Sequence, residues 1–357
     1  MNKFAPKPVT VITGFLGSGK TTLLSALLKK KEMKNVAVII NEFGEVGLDH
    51  ALVERSDENI VELQNGCICC TIQGDLQKTM LDLIDKMSKG DISYFDKVII
   101  ETTGLADPVP IIHTLISSMD LQRIYTLDGV ITVVDATNGE KTFDLQPEAV
   151  KQAALAELII ISKIDLIGKD KEISLENRLR AINPSTKIIK SSFGKVSISD
   201  LIDLDAYDPF SKSRDVKEWL SAESMDTHHD HDHDHHHVNV NRHDENIEAF
   251  SMTSDKPVNM MAFGLFKDLL MAQMGPDLLR LKGIINIEGR DRPAIIHGVQ
   301  HIFHPVHWLE KWPDDDQQTK LVFITRNVKK EQIEGFFNAL MGLVGDKGMP
   351  KEIADLL

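Results

Sequence analysis

Nine residues constrain this chain more than any others: Gly-Phe-Leu-Gly-Ser-Gly-Lys-Thr-Thr, positions 14–22. They satisfy G-x-x-x-x-G-K-[ST], follow a β-branched run at 9–13 and open a helical pattern at 21–31, the strand–loop–helix context that this spacing requires. The glycines let backbone N–H groups close around phosphate oxygens, and the helix N-terminus adds the positive end of its dipole. Gly14, Phe15, Leu16, Gly17, Ser18, Gly19, Lys20, Thr21 and Thr22 are therefore expected to line a nucleoside triphosphate. Lys20 reaches the β- and γ-phosphates and Thr21 ligates Mg²⁺.

The rest of the first half fits that beginning. Further short apolar runs at 36–41, 98–101, 130–135 and 158–162 alternate with helical patterns at 75–89 and 172–182. Strands that are near-continuously apolar are buried on both faces, so the pattern predicts an α/β domain with a mostly parallel sheet flanked by helices. It ends near Asp208–Pro209, which sets a first domain at 1–210 and a His/Asp-rich linker at 211–246. A small α+β domain then spans 247–357, with strands near "IEAFSMT", "GIINIE", "AIIHGVQHIF" and "LVFIT", a helix from about Pro257 to Gln273 and another from Glu331.

Composition narrows the function classes. A formal net charge of -14 argues against nucleic acid or an anionic membrane as partner. No apolar run approaches the ~20 residues of a spanning helix. The apolar stretch in "MNKFAPKPVTVITGF" is too short for a signal peptide, so a cytoplasmic address and reduced thiols are expected.

Three further motifs carry chemistry. "KVIIETTG" ends an apolar run on Glu101, an acid suited to hold hydrated Mg²⁺, and places Gly104 where its N–H senses a γ-phosphate. "LIIISKIDL" sets Lys163 and Asp165 just past a strand. A carboxylate there accepts from guanine N1 and N2, a pair of donors that adenine lacks, so GTP is favoured over ATP. Ser162 stands where Asn is the usual first residue of such a loop, and one contact is expected to be shortened or lost. Third, all three cysteines of the chain, Cys67, Cys69 and Cys70, fall within "NGCICCT". Three thiolates suit one borderline metal such as Zn²⁺ or Co²⁺ and leave a tetrahedral site one ligand short, open to transfer. Packing of small residues in a turn and a redox pair are the competing readings. Glu42 and Glu45 in "NEFGEVGLDH" are candidate switch or metal carboxylates.

"HHDHDHDHHH", 228–237, is a site of another kind. His228, His229, His231, His233, His235, His236 and His237 interleave with three aspartates, a composition that binds transition metals loosely and can collect ions for the thiol site. His113, on the helical pattern after "ADPVP", is a weaker candidate metal ligand facing the switch region, with a surface or core role as the competing reading. His297, His301, His304 and His307 are more simply packing residues, although His297 and His301 share a face if that stretch is extended. Trp308 and Trp312 are expected to anchor the second domain's core or a partner surface.

The order of P-loop, "NEFGEVGLD", "GCICC", "ETTGLADP", "SKID", His-rich linker and small C-terminal domain resembles the CobW family of P-loop GTPases, metal-handling relatives of the hydrogenase and urease maturation GTPases. The resemblance covers essentially the whole chain. It implies a GTPase of slow intrinsic turnover, converting GTP to GDP with Mg²⁺, that delivers a transition metal to a client apo-metalloprotein. Zinc is the foremost metal, with Glu45 joining a cysteine at its site. Cobalt or iron insertion into one enzyme, and a nucleotide-regulated metal buffer, are the alternatives. The client, and whether the chain forms a homodimer, are not legible.

Overall fold

A computed structural model describes residues 6–40, 60–62, 72–198, 201, 204, 247–313 and 315–343. The cysteine motif, Glu42, Glu45 and the histidine tract lie outside the described residues. The chain divides into two compact units, Met1–Arg180 with Thr186–Asp208 and Ala181–Ser185 with Pro209–Leu357.

The first unit is built on strands β1 (Lys7–Thr13), β2 (Val36–Ile40), β3 (Ile60–Glu62), β4 (Lys97–Glu101), β5 (Tyr125–Asp135), β6 (Leu158–Ser162) and β7 (Lys187–Lys190). They pair in the order β3-β2-β4-β1-β5-β6-β7, every pair parallel. The reason is visible in the strands themselves. Val-Ala-Val-Ile-Ile of β2 is buried at every position, and such a strand is stable only when helices cover both faces. Leu23, Leu24 and Leu27 of the helix Lys20–Leu28 supply one cover, packing with Ile12, Val38, Ile99, Ile131 and Ile160. Each side chain so buried contributes about 1.5–3 kcal/mol.

Parallel pairing has a consequence for chemistry: the C-terminal ends of all these strands share one edge. Ile12 is in register with Glu101, Ile40 with Glu101, and Asp135 with Ser162. The chain passes to opposite sides of β1, so a crevice opens at that edge, the position where open α/β sheets bind ligands.

The second unit contains β8 (Ile247–Ser254), β9 (Leu278–Ile285), β10 (Ala294–Val299), β11 (Ile302–Phe303), β12 (His307–Trp308) and β13 (Thr319–Arg326). These form an antiparallel sheet in the order β11-β10-β9-β13-β8, with β12 on β10. Helices Met260–Met274 and Lys330–Leu343 share a core with it around Phe266, which meets Phe337 edge-on at 5.2 Å between ring centres. Trp308 packs against that core, and Trp312 joins a smaller cluster of Ile284, Ile295 and Leu309.

"AIIHGVQHIF" is not one strand. The chain turns at Gln300, whose φ is 53°, and Gly298 pairs back on Phe303. His297 and His301 therefore do not share an extended face. His297 instead lies 6.3 Å from His304, ring centre to ring centre, nearly perpendicular.

Candidate functional site

The crevice at the strand ends is floored by the loop that joins β1 to the helix Lys20–Leu28. Gly14 turns the chain there with φ 139°, and a Cβ at that position would sit 2.2 Å from the carbonyl oxygen of Val133. Any other residue would push the loop off the sheet. The helix that follows has no side-chain cap and no acid in its first turn. Its leading N–H groups, which no intrahelical carbonyl can satisfy, thus meet no competing carboxylate, and an anion is the natural partner.

Lys20 begins this helix and is only 8% exposed. Its ammonium folds back over the loop and donates to the carbonyls of Gly14 at 2.8 Å and Phe15 at 3.3 Å. One residue on, Thr21 Oγ1 donates to Glu101 Oε1 at 2.8 Å, across eighty positions of sequence. A hydroxyl and a carboxylate brought together in this way form an oxygen donor set that suits a hard divalent cation. Glu101 is 5% exposed, so its charge belongs to the crevice and not to the surface.

Gly104 lies three residues beyond Glu101 against the phosphate loop. A Cβ there would be 2.6 Å from the Leu16 nitrogen and 2.7 Å from its Cα, so only glycine allows this approach.

The other end of the crevice is organised by Lys163. It sits just after β6 with φ 56°, in the left-handed region, and its Nζ donates to Gly17 O at 2.8 Å and Asp135 Oδ2 at 2.7 Å. Ser162 Oγ donates to Ser18 O at 2.6 Å and to Val134 O at 3.2 Å. The short hydroxyl thus ties the strand end to the phosphate loop directly. Asp165 is exposed in the turn Ile164–Leu166. Beside it, the loop after β7 is fixed by Ser191, whose N–H donates to Ile161 O and whose carbonyl accepts from the Ile164 N–H.

Asp135 went unnoticed in the sequence except as the last residue of a strand. An acid ending the strand next to the phosphate-loop strand was the available signal. Burial pushes its carboxyl up, but hydrogen bonds from Lys163, Thr137 and Asn138 more than reverse this and hold it at about 2. A depressed folded-state value stabilises the fold above the ordinary carboxylate range, near pH 4, and that contribution is lost as pH falls through about 2. Between pH 4 and 2 the wild-type chain should therefore lose more stability than Asp135→Asn, read as denaturant midpoints. Parallel profiles for the two proteins would contradict the assignment.

His113 is half-buried in the helix Val109–Ser117. Among the described residues no group of three or more His, Cys, Asp or Glu side chains stands ready to hold a metal, in either unit. Nor is any described helix long and apolar enough to cross a membrane.

A phosphate loop on the central strand of a parallel sheet, with a hydroxyl–carboxylate pair beside it, defines a P-loop nucleotide-binding domain. Residues 8–190 match the family described as CobW/HypB/UreG, nucleotide-binding domain, and residues 247–341 match the cobalamin synthesis protein CobW C-terminal domain. The chain belongs to the CobW/HypB/UreG family of P-loop GTPases. It is 32% identical to the zinc chaperone YjiA of Escherichia coli over 94% of this chain and 99% of that one. Zinc-regulated GTPase metalloprotein activator 1 of Schizosaccharomyces pombe is 30% identical, over 91% and 84% of the two chains. The crystal structure of Zn(II)-bound YjiA GTPase superposes with a TM-score of 0.71 at 28% identity, covering 94% of this chain and 99% of the other. A variant of YjiA with one glutamate and two cysteines replaced by alanine was also solved with Zn(II) bound.

Proposed function

We propose that this protein is a GTP-driven metallochaperone that holds Zn²⁺ at Cys67, Cys69 and Cys70, with Glu45, and yields it to a client apo-metalloprotein under control of the bound nucleotide. The observation that carries the nucleotide half is the Thr21–Glu101 contact at the lip of the phosphate loop. The metal half is carried by the gathering of every cysteine in one motif between β2 and β4. Relatives named as zinc chaperones and zinc-regulated GTPases over nearly the same length support zinc over cobalt.

The chemistry follows from the side chains described. The triphosphate lies along the loop 14–22, taking N–H groups of the uncapped helix. Lys20 exchanges the Gly14 and Phe15 carbonyls for the β- and γ-phosphate oxygens, a stronger, charge-assisted contact. Thr21 and Glu101 would hold Mg²⁺, which would supply charge neutralisation for the phosphates. The Gly104 N–H meets the γ-phosphate, so the loop 102–107 distinguishes GTP from GDP. At the base, the turn carrying Lys163 and Asp165 reads guanine, with Asp165 accepting from its N1 and N2. Ser162 holds this turn to the phosphate loop.

Competition against a fluorescent GDP analogue tests the nucleotide half. GTP should displace it about a hundredfold better than ATP, as two hydrogen bonds to a carboxylate imply, and Asp165→Ala should remove most of that preference. Equal displacement by ATP would sink the guanine assignment.

A further inference from the structure

Gln152 lies in the helix Pro147–Leu155 with its side chain wholly removed from solvent, at 0% exposure. Its Nε2 donates to Ala106 O at 3.0 Å and, more weakly, to Gly104 O at 3.4 Å. Its own backbone carbonyl is pinned to the sheet by Thr132 Oγ1 at 2.6 Å. One residue earlier, Lys151 pairs with Asp107 of the same loop. On its other side the loop is stopped by the phosphate loop, because Gly104 lies directly on Leu16. Residues 104–107 are thus clamped between Leu16 and one turn of helix.

The clamp has an odd chemical feature. Gln152 Oε1 is buried and, among the described residues, accepts no hydrogen bond. An amide oxygen buried without a donor is unfavourable, and a methionine of similar volume would fill the space without that cost. A carboxamide makes sense here only for its two donations, to carbonyls on either side of Leu105. Gln152 also lines a cavity of about 430 Å³ between the phosphate loop, the end of β5 and the helix Gly139–Leu145.

We propose that Gln152 is a positioning residue for GTP turnover: by holding the Gly104 and Ala106 carbonyls it stops the loop from turning the Gly104 N–H away from the γ-phosphate. This rests on the reading that the crevice binds GTP with Gly104 at its terminal phosphate. GDP has no group for Gly104 to meet, so the effect of losing the clamp is confined to the triphosphate state.

Gln152→Met, which keeps the volume and loses the donors, should lower the ratio of affinities for a non-hydrolysable GTP analogue and GDP about tenfold. The kcat for GTP should fall by a similar factor, while GDP affinity stays within about twofold. Lys151→Met, nearer the surface, should shift the same ratio about threefold in the same direction. A lower Tm with unchanged ratio and kcat would reduce Gln152 to a packing residue and overturn the proposal. If Gln152→Met does not fold, an unchanged ratio in Lys151→Met overturns it as well. Wild-type protein that binds neither nucleotide would overturn the GTP reading itself, and this inference with it.

Discussion

Replacing Lys20 by alanine should cut GTP turnover by at least about a hundredfold, the usual loss when one preorganised donor to a developing charge is removed. The argument is electrostatic. Lys20 is 8% exposed, and the carbonyls of Gly14 and Phe15 accept from its ammonium. Those carbonyls are neutral dipoles, whereas a triphosphate offers full negative charge in the same low-dielectric crevice, where each charge pair is stronger than in water. Lys20 is therefore poised to change partners when nucleotide arrives. Alanine is the best helix former, so the first turn of Lys20–Leu28 should persist and the melting temperature should change little. Phosphate release at saturating GTP, with circular dichroism as the control for fold, measures both. Near-normal turnover in a folded variant would remove Lys20 from the machinery.

What the sequence disclosed and what it hid follow one physical division. The phosphate loop was legible because its geometry is local: glycines, a lysine and a threonine within nine positions, between a strand and a helix. The buried strands were legible because burial on both faces demands an unbroken apolar run, as in β2 and β6. Short or half-exposed strands carried no such signature. β7 is Lys-Ile-Ile-Lys at one edge of the sheet, and β3 has three residues at the other. The helix Lys169–Ile182 begins three positions before its apolar pattern does, because Lys169 and Glu172 pair across its exposed first turn. The turn between β10 and β11 was hidden because Gln300, not glycine or asparagine, takes the left-handed conformation. Contacts across long stretches of sequence were the least accessible. Ser162 looked like a shortened asparagine, and only the fold brings its hydroxyl to Ser18, 144 positions away. Gln152 and Asp135 gave no local signal of their ties to Ala106 and Lys163.

The thiol motif yields the second large effect. With the tract 228–237 deleted, alanine at Cys67, Cys69 and Cys70 should weaken Zn²⁺ binding by more than about a thousandfold, since three of the strongest available ligands are lost. The deletion is essential, because a tract of seven histidines is expected to bind zinc in its own right and would mask the loss. YjiA, too, was solved with Zn(II) bound after one glutamate and two cysteines had been replaced by alanine, so the deletion and the full triple substitution are both needed for a clear reading. Coupling to nucleotide is expected through the strand ends that flank the motif in sequence. β2 and β4 are in register at Ile40 and Glu101, and β3 meets β2 with Glu62 opposite Ile40. Glu62, five positions before Cys67 in sequence, thus ends β3 at the same sheet edge as Glu101, which Thr21 contacts. Zinc affinity of the tract-deleted protein, by competition with a chelator, should then differ about tenfold between the GTP-analogue and GDP states, within the usual range for coupled sites. Linkage requires zinc to shift the preference between the two nucleotides by the same factor, an independent check on the same sample. Equal zinc affinities in both states would leave a passive thiol site, and the chain would then be a metal buffer that carries a GTPase rather than a chaperone driven by one.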